Sequence, residues 1–210
     1  EHIAKFKKPI ILSTGMNSIN TIKPAVQILR KNKIKFALMH CTNIYPTPPE
    51  LVRLECIKQL KKAFPDAVVG LSDHTTSNFT SYGAITLGAK IIERHFVDDN
   101  SRKGPDILCS MTPLELKQLI AGSKVIFKST QLNKKIALKK EKKTMNFAFS
   151  SVVSIKDIQP GEKLSKSNIW VKRPGIGDFL AKDYKKLLGK KVNKKILSGK
   201  FIKKKYLKEL

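Results

Sequence analysis

Acidic residues are scarce in this sequence: 16 Asp and Glu stand against 42 Lys and Arg, a formal net charge of +26. A balance this basic points first to polyanions such as nucleic acid or an anionic membrane surface. Two further shortages argue against nucleic acid. Aromatics make up 7% of the residues, with a single Trp, which is thin for a platform on which bases stack. The lysines are dispersed, and their runs at 139–143 and 203–205 fall in a linker and near the C-terminus, not along one amphipathic helix. The chain therefore reads as an enzyme with a lysine-rich surface suited to anionic substrates, with a non-catalytic polyanion-binding module as the alternative. Cysteine is sparse as well. Cys41, Cys56 and Cys109 supply neither a disulfide framework nor a CxxC zinc site, so they read as reduced thiols of a cytoplasmic protein. No apolar run reaches the roughly 18 residues of a membrane span, so no membrane partner is expected. Residues 1–8 lack a signal-peptide pattern and read as the end of a helix already under way, so that the chain begins mid-fold. No G-x-G-x-x-G follows any strand, which leaves dinucleotide binding unsupported.

What the sequence does contain is a repeated unit. Short apolar runs at 9–13, 35–40, 67–71 and 90–96 read as buried strands. Each is followed by a helical pattern. Asn17 or Ser18 caps a helix with Ile22, Val26 and Leu29 on one stripe. Pro49 opens a helix carrying Val52, Cys56, Leu60 and Ala63. A helix of small residues spans 78–89. Thr112-Pro113-Leu114-Glu115 forms a capping box, with Met111 stapling onto Leu116 and the helix running to about Lys128. Four βα units in a row mean a parallel sheet covered by helices, either half of an eight-fold barrel or part of an open doubly wound sheet. Residues 131–149 read as a Lys-rich linker. Residues 150–210 change character to short strands and Gly/Pro turns, a small mainly-β appendage.

Two of the strands end in histidine: Gly70-Leu71-Ser72-Asp73-His74 and Ile91-Ile92-Glu93-Arg94-His95. Consecutive parallel strands that end in His place two imidazoles at one rim of the sheet, where such folds keep their sites. Two imidazoles together at such a rim are the usual start of a metal site or an acid/base site. Alternation puts Ser72 with His74 on one face, Glu93 with His95, and Asn43 with Tyr45 beyond the preceding strand. Glu93 serves either a polar layer of the interior or the orientation of a ligand. His40 alternates away and reads as structural; His2 reads as surface.

The motifs Ser13-Thr14-Gly15-Met16, His40-Cys41-Thr42-Asn43-Ile44-Tyr45-Pro46, Gly70 to Thr75, Ile92 to Phe96, Gly104-Pro105-Asp106 and Lys172-Arg173-Pro174-Gly175-Ile176-Gly177 occur in this order. Together the chain resembles the N-acetylneuraminate (sialic acid) synthase family. The resemblance implies an α/β fold: a (β/α)8 TIM barrel of which residues 1–130 form the C-terminal half, a linker at 131–149, and an antifreeze-like SAF domain at 150–210. It implies condensation of phosphoenolpyruvate with the open-chain aldehyde of N-acetylmannosamine, with Mn2+ as the expected metal and Mg2+ or Co2+ as substitutes. His74 and His95 match the family's metal ligands and, with Tyr45, its catalytic residues. Ser13, Asn43, Tyr45, Ser72, Asp106 and Arg173 match positions that contact the two substrates. The resemblance further implies a homodimer in which the SAF domain reaches over the partner's barrel and presents Arg173 to the sugar's N-acetyl end. Legionaminate- or pseudaminate-type synthases are the alternative, and the Arg173 loop leans toward N-acetylneuraminate. The sequence departs from the family in two places. Phe149 and Ser150 stand where a basic pair often precedes the serine, here Ser151. The family's N-terminal barrel strands, with a lysine, a threonine and glutamates of the site, have no counterpart, so the chain alone is expected to be inactive.

Overall fold

The structure, a computed structural model, describes residues 1–132 and 134–207. The chain divides into two compact units, Glu1–Asn133 and Lys134–Leu210.

The first unit is built on four parallel strands, β1 (Ile10–Ser13), β2 (Phe36–Cys41), β3 (Val68–Asp73) and β4 (Ile91–Arg94), in the spatial order β1-β2-β3-β4. Helices α1 (Ile19–Lys31), α2 (Cys56–Ala63), α3 (Phe79–Thr86) and α4 (Pro113–Ser129) follow them in turn. The result is a curled parallel half-barrel, the fold class the sequence implies. Strict alternation sorts the side chains. Leu38, Val69 and Leu71 face the helices and are buried with Val26, Ile57, Leu60, Phe64 and Ala84. The opposite face carries rows set by the register: Ile11 beside Ala37, then Ser13–Met39–Gly70–Ile91, then Cys41–Ser72–Glu93. Gly70 is required in its row, because a Cβ there would lie 2.5 Å from the Met39 sulfur and 2.6 Å from the Ile91 carbonyl. On this face Ile11 is 64% exposed. Among the described residues β1 and β4 each have one strand neighbour, so both outer edges of the sheet are open, a liability for a parallel sheet.

The helix expected to start at Pro49 is interrupted. Pro49–Leu51 forms a 3-10 turn, Arg53 takes a left-handed conformation (φ 54°), and α2 starts only at Cys56. The buried stripe is consequently Val52, Ile57, Leu60 and Phe64, while Cys56 is only partly buried. A periodicity of 3.6 cannot continue through a left-handed residue. The cap of α1 is Ser18, not Asn17: its hydroxyl accepts from the Thr21 N–H at 3.3 Å while Thr21 Oγ1 accepts from the Ser18 N–H at 3.0 Å. The box at α4 forms as the sequence requires. Thr112 Oγ1 accepts from the Glu115 N–H, and Glu115 Oε2 accepts from the Thr112 N–H at 2.7 Å.

In the second unit, the stretch expected as linker contains a 3-10 turn at Lys139–Glu141 and helix α5 (Lys142–Ala148). Strands β5 (Ser151–Ser154) and β6 (Ile169–Lys172) pair antiparallel, and a short helix α6 (Tyr184–Leu187) follows. Isolated bridges such as Val153–Phe201 and Ile158–Ile196 fold the C-terminal segment back on this hairpin. Val152, Ile158, Leu164, Ile169, Val192, Ile196 and Ile202 form the core. Residues 208–210 of the expected SAF domain lie outside the described residues.

Replacing Thr112 with Ala removes one half of the α4 box and is expected to lower stability by about 1 kcal/mol at neutral pH. The Thr112 backbone and hydroxyl bonds hold the Glu115 carboxyl below the usual 4.5. That part of the stabilisation is present above this value and lost as pH falls through the lower, folded-state value. Urea unfolding of the wild type and Thr112→Ala at pH 7 and pH 3 checks this; the gap is expected to narrow at pH 3.

Candidate functional site

The carboxyl ends of β2, β3 and β4 carry the chemistry. His74 follows β3 directly and His95 follows β4. Their rings meet edge to face, with centroids 5.1 Å apart and planes at 89°. Tyr45, on the loop after β2, covers both, with its ring centroid 4.1 Å from His74 and 5.8 Å from His95. His74 Nδ1 lies 3.0 Å from the Thr42 carbonyl. A carbonyl only accepts, so this nitrogen carries the proton, and in the neutral ring Nε2 keeps its lone pair. Cys41 Sγ stands 3.9 Å from the same Nδ1. His95 Nδ1 faces Asp106 Oδ2 at 3.6 Å. Among the described residues neither Nε2 has a hydrogen-bond partner.

The loop carrying Asp106 is held in place by its own backbone. Asp106 sits in the left-handed region (φ 62°), and its carbonyl accepts from the Cys109 N–H, the Cys109 thiol and the Ser110 hydroxyl. The segment around His95 is fixed by parallel pairing of Phe96 with Met111, in which the Met111 N–H donates to the His95 carbonyl and the Val97 N–H to the Met111 carbonyl. On β3, the buried Asp73 carboxylate accepts from the Thr75 N–H at 3.0 Å and from the hydroxyls of Thr80 and Ser81 at 2.6 and 2.7 Å. This ties the chain just after His74 to the first turn of α3.

Of the residues singled out in the sequence, the first unit gathers most of them. Asn43 Nδ2 donates to the Tyr45 hydroxyl at 3.2 Å. Asn43 packs on Gly15, where a Cβ would fall 1.7 Å from Asn43 Oδ1, so only glycine allows that approach. Ser72 Oγ donates to Glu93 Oε2 at 2.5 Å across the β3–β4 pair. Ser13 lies on the same inner face, one row below Ser72, with no side-chain bond to the others. Arg173 belongs to the second unit, directly after β6. His40 is buried on the helix side, its Nε2 donating to the Val52 carbonyl at 2.6 Å. Burial pushes its pKa below the usual 6.5 against that bond, with a smaller contribution from nearby Arg53. Sequence reasoning passed over Cys109, Asp73 and Arg94. For Asp73 and Arg94 the available signal was their place immediately before each histidine.

These residues fit a divalent metal. His95, Asp106 and Cys109 each offer a ligand atom, and the three atoms lie within 4.8 Å of one another. His74 contacts the His95 ring but is not part of that cluster. Imidazole, carboxylate and thiol donors suit a borderline divalent ion. Burial raises the Cys109 thiol above its usual 9.0, with nearby Asp106 adding to this, so the thiol is the donor that gives up its proton least readily.

A parallel half-barrel with imidazoles and a carboxylate at its strand ends, followed by a small antiparallel β unit, defines the class of protein as a TIM-barrel-type α/β fold with an SAF-like appendage. The chain belongs to the NeuB family, whose model matches residues 1–135, and residues 149–208 match the SAF domain. It is 42% identical over 191 residues to the N,N'-diacetyllegionaminic acid synthase of Campylobacter jejuni, covering 90% of this chain and 57% of that protein. It is 34% identical over 192 residues to the human N-acetylneuraminate-9-phosphate synthase, covering 91% and 54%. Among solved structures it resembles the N-acetylneuraminic acid (sialic acid) synthetase of Leptospira borgpetersenii in complex with citrate. That match has a TM-score of 0.64 and 31% identity over 68% of this chain and 50% of the other. The chain thus spans little more than half the length of these relatives.

Asp73→Ala removes an acceptor of three hydrogen bonds and leaves the Ser81 hydroxyl and the Thr75 N–H without their partner, while the Thr80 hydroxyl keeps only Thr75 Oγ1 at 2.8 Å. It is expected to cost roughly 3 kcal/mol, read as a lowered urea midpoint at unchanged slope.

Proposed function

We propose that this chain is part of a nonulosonate synthase, which joins phosphoenolpyruvate to an N-acetylmannosamine-type aldehyde. The enol carbon of phosphoenolpyruvate forms a bond to the aldehyde carbon, water adds at C2, and phosphate leaves with cleavage of its C–O bond. A nine-carbon 2-keto acid results. The observation that supports this most is the convergence of Tyr45, His74 and His95, with Asp106 beside His95, at the strand ends of a NeuB-family half-barrel.

His74 and His95 would hold the divalent ion, with Mn2+ the first candidate, Asp106 within reach and Mg2+ or Co2+ able to replace it. The bound ion supplies Lewis acidity at the aldehyde oxygen. The remaining work falls to the chain's own groups. The Thr42 carbonyl fixes the His74 tautomer. Tyr45, itself oriented by Asn43, closes one side of the imidazole pair. Ser72 and Glu93 form a polar row just below, and Ser13 lies lower on the same face, toward the phosphoenolpyruvate end. Asp106 faces the sugar side.

The amino sugar has two readings. The Lys172-Arg173-Pro174-Gly175 loop favours N-acetylmannosamine. The 42% identity to a diacetyllegionaminic acid synthase favours a diacetylated sugar of the legionaminate type. In either case Arg173 is assigned to the sugar's N-acetyl end in a partner copy, which makes the enzyme a dimer, and the substrates place it in the cytoplasm. The open edges of β1 and β4 are assigned to a second half-barrel that completes the ring of strands and carries the remaining phosphoenolpyruvate-binding groups.

Phosphate release from phosphoenolpyruvate with Mn2+ and each sugar tests this reading. Release is expected when a complementing N-terminal half-barrel is supplied, and His74→Ala is expected to lower it at least 100-fold, the scale of a lost Lewis-acid site. Release by the 210-residue chain alone would refute the need for a second half. No release with any of the sugars in the completed barrel would refute the synthase reading.

A further inference from the structure

Arg94 is the last residue of β4 and the one before His95. Alternation sends its side chain away from the inner face and toward the helices, where it is 8% exposed. The guanidinium spreads beneath the loop that follows His74. Nη2 donates to the Thr75 carbonyl at 2.5 Å. Nη1 donates to the Ser77 carbonyl and, at 2.8 Å, to Asn78 Oδ1. Asn78 in turn donates to the Glu115 carbonyl, in the first turn of α4, at 2.9 Å. Nε is buried with no partner among the described residues, and no ion pair joins Arg94 to a carboxylate there.

This is a costly arrangement for holding a loop. A buried cation whose hydrogen bonds all go to neutral acceptors gives up hydration without a direct ion pair, the Glu115 carboxylate acting on it only through space, and an unpaired N–H adds to the penalty. The placement of the acceptors shows what the arrangement achieves. All three lie within the four residues after His74, while the donor adjoins His95. One rigid, planar group therefore ties together the two chain segments that carry the imidazoles. Asp73, the register partner of Arg94, holds the same loop from its N–H side through Thr75. The loop is gripped by an anion on its donors and by a cation on its acceptors.

We propose that Arg94 is a positioning residue that sets the spacing and facing of His74 and His95 so that both serve one divalent ion. The proposal rests on the two-histidine reading above, and its test separates the two. The probe is Mn2+ titrated into the 210-residue chain, with bound and free ion resolved by electron paramagnetic resonance. His74→Ala and His95→Ala come first and are expected to abolish tight binding. If the wild type binds no Mn2+, or these variants bind it equally well, the two-histidine reading fails and the role of Arg94 fails with it. Given that site, Arg94→Met, which keeps the length of the side chain but none of its donors, is expected to weaken Mn2+ binding about 10–100-fold. Arg94→Lys, which keeps the charge but not the fork, is expected to fall between Met and wild type. Circular dichroism establishes that each variant is folded at the titration temperature. If Arg94→Met does not fold, the reading passes to Arg94→Lys and to Asn78→Ala, which removes one acceptor and is expected to weaken binding several-fold. A purely structural role would lower the melting temperature and leave the Mn2+ affinity of the folded variants unchanged, and that result would overturn the proposal.

Discussion

The parallel pairing of β3 with β4 is the constraint on which the rest of the site depends. Its register sets Ser72 beside Glu93 and Asp73 beside Arg94. Because both strands leave the sheet at the same level, His74 and His95 leave it side by side. A slip of one residue would turn one histidine toward the helices. The register is well protected against that slip. Gly70 fits only between Met39 and Ile91, and Leu71 has its place in the core beneath the helices. The geometry of the rim is thus a consequence of how the sheet packs several residues earlier.

Much of this was legible in the sequence because period-2 and period-3.6 patterns are local. The four strands, their order as βα units and the Thr112–Glu115 box follow from such patterns, as does the shared face of Ser72 and His74. The break before α2 was not legible. Pro49, Val52, Leu60 and Ala63 keep an acceptable helical spacing across Arg53, and a left-handed backbone there leaves no mark on the side-chain pattern. The cap of α1 was ambiguous because Asn17 and Ser18 are both good caps, and only the position of Thr21 decides between them. Cys109 was out of reach for another reason. Its approach to His95 depends on how a fourteen-residue loop from 97 to 110 folds back, and loops of that length carry no periodic signal.

The charge of the chain takes on a narrower meaning once the site is placed. The rim itself holds two imidazoles, a tyrosine, small hydroxyls and Asp106, with no lysine in contact with them among the described residues. The excess of lysine is therefore a property of the outer surface. It can draw anions toward the molecule, an effect screened over about 8 Å at physiological salt. It does not define where an anion would bind.

Each strand-end histidine, His74 and His95, is preceded by a charged residue pointing the opposite way, and this follows from alternation itself. In a parallel half-barrel the side of each strand away from the interior is normally apolar, as it is at Leu38, Val69 and Leu71. At the final layer it becomes Asp73 and Arg94. At that level the next helices are only beginning, and the chain must turn back over itself to reach them, leaving backbone donors and acceptors that need partners. Apolar side chains would leave those groups unsatisfied. A carboxylate that collects N–H and O–H donors, and a guanidinium that collects carbonyls, satisfy them and fix the direction in which the loops leave. The inward residue of each pair is then free of that structural duty, and its Nε2 has no hydrogen-bond partner among the described residues. His40 shows the converse. One strand over, on β2, a histidine faces outward, and its Nε2 is spent on the Val52 carbonyl. The same side chain is spent as a structural donor on one face of the sheet and keeps its Nε2 without a partner among the described residues on the other, and the parity of its position in the strand decides which.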